Sequence, residues 1–469
     1  MIQVRLYSIF LLLFFIVSCF PQEYKYEKAV LGDEGEVLVY LQPLPQEASK
    51  LRFMMGDIFA LRDDGVKIPL FLSFSEINGA ELLASQRLLA TGILPPGSYT
   101  GISIKTDWAF VQSEEGDIAL LVPEEPVVAA KLFQVKRRQA LTLFLSLNAS
   151  GILTRGISFT PDFSVATPGS ILINLTGYVS NSASNLISVF NKKTMEVVNS
   201  IATGKGPRGI VLDQIRTRAY VAVSGDDAVE IYDVFTGKAI GRIRLNFRDN
   251  PIELALTPDG KTLVSVNYGS NTVSIIDALS RFELSRIRVG EGPTSAVVDP
   301  SGLRAYVTNS RSNTVSVVDL TQRALALTIS VEGIPVKAAF NRAGDRLYVV
   351  SSNSPNLSVI DPSRLTVTNK IFIGPGGLSI RVSRLNGLIF VGKSFGGEIA
   401  VVDPYSLMLI DSIRVEGNAA FTTIDRQENT LFVVLPERRL VQKLDLTSKK
   451  LMAEIEVSEE AYAVVVMGE

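Results

Sequence analysis

From about residue 177 onward, short apolar runs alternate with polar turns in a pattern that keeps returning. Its clearest instance is Ala305 to Asp319, AYVTNSRSNTVSVVD. Two apolar runs, Ala305–Thr308 and Thr314–Val318, flank a Ser/Asn turn, and an aspartate closes the second. Small, β-branched and aromatic residues on both sides of such a turn predict a β-hairpin. The closing position recurs at Asn191, Asp233, Asp277, Asp319, Asp361, Asp403 and Asp445, a spacing of 42 residues with one step of 44. A ring or aliphatic track keeps step at Tyr178, Tyr220, Val264, Tyr306, Tyr348, Phe390 and Phe432. So does a third track, Pro207, Pro251, Pro293, Pro335, Gly377, Ala419 and Ala461.

Each unit holds four strand-like runs, in the fourth copy Ser295–Asp299, Ala305–Asn309, Val315–Asp319 and Ala324–Val331. Four strands in about 42 residues, repeated seven times, predict a seven-bladed β-propeller over residues 177–469. The first copy lacks an inner strand, while Ala461–Met467 is placed like the inner strand of an eighth. The C-terminal strand is therefore expected to complete the first blade, which removes an exposed sheet edge.

The earlier half carries a different β pattern. Short runs such as Glu36–Leu41, Phe53–Ala60, Ile68–Phe74, Gly101–Lys105 and Leu141–Leu147 are separated by Asp63-Asp64-Gly65, Asn78-Gly79 and Pro95-Pro96-Gly97. This spacing predicts an antiparallel β-sandwich of about seven strands over residues 35–160, with 161–176 as linker. The fold class is therefore all-β, a seven-bladed β-propeller preceded by a small antiparallel β-sandwich domain. Trp108 is expected to be a buried or half-buried anchor, and Lys136-Arg137-Arg138 a solvated turn. At the N-terminus, Arg5 precedes an apolar run from Ile9 to Val17, too short to span a bilayer and suited to a secretory signal over residues 1–18.

Three resemblances follow from these residues. Units such as AYVTNSRSNTVSVVD and TLVSVNYGSNTVSIID resemble the YVTN family of β-propeller repeats, through Tyr306-Val307-Thr308-Asn309. Leu88–Lys105 is similar to a family of uncharacterised β-sandwich domains of exported bacterial lipoproteins, through Leu94-Pro95-Pro96-Gly97-Ser98-Tyr99, Ile102 and Ile104; that family implies a fold and no activity. Ile16-Val17-Ser18-Cys19 resembles the lipobox of bacterial lipoproteins. It implies that Cys19 is acylated (palmitate among the chains), that 19–34 is a tether, and that the protein is exported and anchored to the cell envelope, with the outer membrane or cell surface favoured. YVTN-like propellers also resemble the haem d1 domain of a nitrite reductase and the propeller lactonases.

Composition narrows the function. The 469 residues contain no histidine and one cysteine, Cys19. Ser-His-Asp or Cys-His nucleophiles, His-ligated zinc and His-ligated haem are thereby excluded, as is any internal disulfide. The formal net charge of −2 speaks against nucleic-acid binding. The repeated aspartates sit beside Ser, Thr or Pro and are expected to accept backbone N–H bonds in turns; the Asp226/Asp227 pair leaves a calcium site as a minor alternative.

Function is expected where the repeat does not repeat, on the face shared by the turns between second and third strands and the links between blades. The candidate partner-binding residues are Arg248, Arg311, Lys393, Phe395, Arg438 and Arg439. The expected protein is a non-catalytic, monomeric envelope lipoprotein without cofactor or metal, binding a protein or glycan partner. The alternative is a lactonase-like or redox propeller enzyme using carboxylate/Arg chemistry.

Overall fold

The computed structural model describes residues 30–114, 116–148, 153–154, 157–169, 172–425, 427 and 429–468. The signal segment, Cys19 and most of the tether lie outside the described residues. Residues 176–466 form seven four-stranded antiparallel sheets, and the inner strands touch one another in a closed circuit, so the sheets are the blades of one ring. Blades 2 to 7 run in chain order from inner to outer strand. Blade 1 is composite: its inner strand is Ala461–Val466, followed outward by Thr176–Asn181, Leu186–Asn191 and Glu196–Ala202. Both chain ends of the ring thus share one sheet, and no inner edge is left open.

The three sequence tracks become three structural devices. Tyr178, Tyr220, Val264, Tyr306, Tyr348, Phe390 and Phe432 are all buried at 2% exposure or less, and they sit in apolar clusters that straddle neighbouring blades. A fully buried side chain of this size contributes about 1.5–3 kcal/mol. The Tyr178 and Tyr220 hydroxyls also donate to the carbonyls of Val234 and Ala278 in the next blade, at 3.3 and 3.2 Å.

The closing aspartates accept backbone N–H groups two and three residues on, as at Asp319 from Thr321 (2.9 Å) and Gln322 (2.8 Å) and at Asp445 from Thr447 (3.1 Å) and Ser448 (2.6 Å). Asn309 spans the hairpin instead, its amide donating to Thr314 and Ser316 at 3.1 and 3.0 Å. Asn185, Asn271 and Asn313, just ahead of the third strands, take the left-handed conformation that asparagine tolerates in tight turns.

The N-terminal domain differs from expectation in two ways. It has ten strands in one connected sheet around a single core, including the Phe53–Phe159 ring contact at 4.9 Å. It is also not purely antiparallel, because Gly35–Leu41 pairs in parallel with Ala140–Leu147. Two strands so far apart in the chain leave no local mark of their pairing direction.

Within the stretch expected as linker, Phe163–Ala166 is a strand paired with Ala140–Leu147. Phe163 and Val165 are buried while Ser164 and Ala166 are exposed, a period-two pattern too short to stand out between prolines. Trp108 is half-buried, 5.3 Å from Phe110 and beneath Arg52 at 5.7 Å, and Lys136, Arg137 and Arg138 are exposed.

The two domains share a core. Leu38, Tyr40 and Leu88 of the N-terminal sheet pack with Phe190, Val197, Phe432 and Ile455 of blades 1 and 7. Gln86, itself buried, donates to the Val197 carbonyl (3.1 Å) and accepts from the Val197 N–H (2.8 Å). Arg87 pairs with Glu456 at 2.5 Å. The domain thereby lies against the two blades that meet at the closure of the ring.

Candidate functional site

The turns between second and third strands and the links between blades do lie on one face, called upper here, because they hydrogen-bond each other. Gly225 donates to the Lys205 carbonyl at 2.9 Å, Arg311 to Glu291 at 3.0 Å, and Ser394 to Gly376 at 2.7 Å. The candidate residues fare differently on it. Arg248 has a positive φ of 66°, its N–H bonds the Asp227 carboxylate at 2.8 Å, and its guanidinium lies 5.2 Å over Phe247. Arg311 stacks over Tyr268 at 5.1 Å. Phe395 is 71% exposed. Arg438 pairs with Glu416 at 3.1 Å, both well exposed.

Two of the candidates are not free contact residues. Lys393 ends the strand Ile389–Lys393, is 6% exposed, and its ammonium bonds Glu398 at 2.6 Å. Arg439 faces Glu456 at 3.5 Å, the same carboxylate that Arg87 holds, and so belongs to the domain junction. Both looked like loop cations only because strand ends and partners are invisible in a single repeat.

The Asp226/Asp227 pair is likewise spoken for. Asp226 takes the Lys205 N–H at 3.2 Å and Arg242 at 2.9 Å. Asp227 spends its two oxygens on the N–H groups of Arg248 and Asn250, at 2.8 Å each. These carboxylates staple loops rather than converge on a cation. Among the described residues no group of three or more His, Cys, Asp or Glu is placed to hold a metal ion.

A second constellation was not anticipated. Charged and aromatic side chains of the inner strands gather around the ring axis. Glu253 of blade 3 bonds the Lys337 ammonium of blade 5. Lys337 and Arg381 of blade 6 lie over the Phe421 ring of blade 7, at 4.9 and 5.2 Å. Arg208 of blade 2 lies 5.4 Å over the Tyr462 ring of blade 1. Burial, then the nearby Glu253 carboxylate, push the Tyr462 hydroxyl well above the ordinary tyrosine range, with Arg208 partly offsetting them. The hydroxyl is therefore a neutral donor at physiological pH.

Within this group the Glu253 carboxylate is committed to Lys337. Among the described residues neither the Arg208 guanidinium nor the Tyr462 hydroxyl has a hydrogen-bond or ion-pair partner. A signal for Glu253, Lys337 and Phe421 is in the chain. At the third residue of each inner strand, counted from the Pro207 track, stand Gly209, Glu253, Ser295, Lys337, Ser379, Phe421 and Ala463. That position has no consensus, unlike the tracks around it.

Comparison with known proteins agrees with the architecture. A family model described as YNCE-like beta-propeller matches residues 159–468. No curated protein matches the chain. Among solved structures, a functionally unknown protein from Desulfotomaculum acetoxidans is similar with a TM-score of 0.56 and 16% identity, over 62% of this chain and 98% of that one. A candidate 6-phosphogluconolactonase from Bacteroides fragilis aligns with a TM-score of 0.53 and 15% identity, over 64% and 99%. The dihydro-heme d1 dehydrogenase NirN in complex with DHE aligns with a TM-score of 0.50 and 14% identity, over 65% and 78%. At these identities the likeness is one of fold alone.

Proposed function

The chain belongs to the YNCE-like β-propeller family, and from that premise we propose that it is a non-catalytic binding platform of the bacterial cell envelope, exported and anchored through acylated Cys19. Its upper face takes a protein or glycan partner. The observation that supports binding over catalysis is the state of Glu253. Glu253 lies among the axial side chains and is tied to Lys337 rather than left as a base. Proton abstraction needs a basic group free to reach its proton, and the chain has no histidine to supply another.

The lactonase-like alternative places the weight on that same Glu253. Incubating the purified chain with a lactone panel separates the two readings. Hydrolysis above background that vanishes in Glu253→Gln would establish an enzyme and end the binding proposal. The anchoring half rests on the lipobox-like residues and is tested by metabolic labelling with palmitate. Label in the wild-type chain and none in Cys19→Ser is the expected pair of results, and equal label in both would remove the anchor.

A further inference from the structure

We propose that the cluster of inner-strand side chains around the ring axis is a recognition site for a carboxylate group, and that Arg208 and Tyr462 are its principal ligands. The inference rests on the binding reading above and adds the chemistry of what is bound. Four features carry it. First, among Tyr462, Arg208, Glu253, Lys337, Arg381 and Phe421 the Glu253 carboxylate is taken by Lys337 and leaves the Arg208 charge without a counter-ion among the described residues. A half-buried guanidinium is costly to leave uncompensated, and an incoming anion offsets that cost.

Second, the cations are not partnered alike. Lys337 has Glu253, and Lys337 and Arg381 both rest on the Phe421 face. Arg208 is left with the Tyr462 ring alone among the described residues. A guanidinium stacked on an aromatic face keeps its in-plane N–H fork available, and that fork matches a carboxylate bidentately.

Third, the Tyr462 hydroxyl is a neutral O–H at the same place, without an acceptor among the described residues, and an oxyanion is the acceptor it lacks. Both side chains are half-buried, so they are partly desolvated yet reachable from solvent. Fourth, Arg208 and Tyr462 occupy the second residue of their inner strands, where the other blades carry Ile252, Thr294, Val336, Leu378 and Ala420. A cation and a phenol stand where the ring otherwise has small or apolar side chains. Blade packing gives no reason for that exchange.

The ligand class is a small organic carboxylate, or an acidic sugar at the end of a glycan, with the carboxylate on Arg208 and Tyr462. Phosphate shares the oxyanion chemistry and is the competing source to be separated. Isothermal titration of the full chain in detergent with glucuronate, citrate, inorganic phosphate and neutral glucose distinguishes them. Glucuronate or citrate is expected to bind, glucose not, and the affinity is expected to fall as salt rises.

Arg208→Ala should weaken carboxylate binding by about tenfold or more, the loss expected of a charge-assisted pair. Tyr462→Phe, which keeps the ring under Arg208, should weaken it less, and Arg208→Lys should restore only part. Tighter binding of phosphate than of either carboxylate would overturn the ligand class. No heat with any anion, or equal binding by a folded Arg208→Ala chain, would overturn the site. Because lactone turnover is read separately, loss of this inference leaves the binding platform standing, whereas turnover lost in Glu253→Gln removes the platform itself.

Discussion

A buried ion pair bridges the seam where the ring closes, and breaking it should be strongly destabilising. Lys192, in the turn after Leu186–Asn191 of blade 1, places its ammonium 2.7 Å from Asp425, the last residue of the inner strand of blade 7. The side chains are 1% and 0% exposed. The same ammonium donates to the Met467 carbonyl at 2.6 Å, just beyond the C-terminal strand, and Lys443 donates to the Lys192 carbonyl at 2.9 Å. One cation therefore ties together the first blade, the last blade and the strand that joins them.

Lys192→Met removes the cation and strands the Asp425 carboxylate in the interior, which costs about 3–5 kcal/mol for a buried pair broken on one side. Asp425→Leu strands the ammonium and should cost a similar amount. The double variant strands neither charge, and apolar replacement of a whole pair is often neutral, so its loss should be smaller than either single loss. For a ring of this size each kilocalorie moves the melting point by about 2 °C, hence roughly 6–10 °C for a single variant.

Far-UV circular dichroism follows the whole chain, while fluorescence of Trp108, the only tryptophan, follows the N-terminal domain separately. Single variants that melt within about 1 °C of the wild type, or a double variant whose loss equals the sum of the two, would refute the latch.

Three further outcomes are expected. Asn309→Ala deletes the two hydrogen bonds to Thr314 and Ser316 from a fully buried site and should destabilise by about 1–2 kcal/mol in denaturant unfolding, without touching ligand titrations. Gln86→Ala leaves the Val197 N–H and carbonyl without their partner at a buried junction, at about 1–3 kcal/mol for each stranded group; the Trp108 transition should then separate from the propeller transition, and coincident transitions would count against a coupled junction.

The turn aspartates set the acid limit. Hydrogen bonds from the next turn hold Asp277, Asp361, Asp403 and Asp445 below the usual carboxylate range, led by the backbone N–H of Ser280 and Ser448 and the hydroxyls of Ser363 and Ser406. A depressed folded-state value stabilises fully above the unfolded value of about pH 4 and loses that contribution as the pH drops through the folded values. Melting temperature should hold from neutrality to about pH 4 and decline below it; a flat profile to lower pH would contradict the assignment.

How much of this was legible in the chain depends on whether the cause was local or repeated. The blades were legible because each one solves the same local problem with the same residues. A tyrosine packs against the next blade, an aspartate caps a turn, an asparagine spans a hairpin, and repetition at 42 residues multiplies a weak hairpin signal into a fold. The upper face was legible for the same reason, since strand order alone puts its loops together.

What the tertiary structure decided is everything that joins residues distant in the chain without a period. The parallel pairing of Gly35–Leu41 with Ala140–Leu147, the Gln86 bridge to Val197 and the Lys192–Asp425 latch each join segments that no local pattern connects. The axial site is the extreme case. Arg208, Glu253, Lys337, Arg381, Phe421 and Tyr462 lie on six different inner strands at positions that no repeat track marks, and they become one site only when the ring closes around an axis. Periodicity determines where a strand lies in its blade; closure determines which exceptions meet, because only the closed ring brings inner strands some 250 residues apart, such as those of Arg208 and Tyr462, into contact.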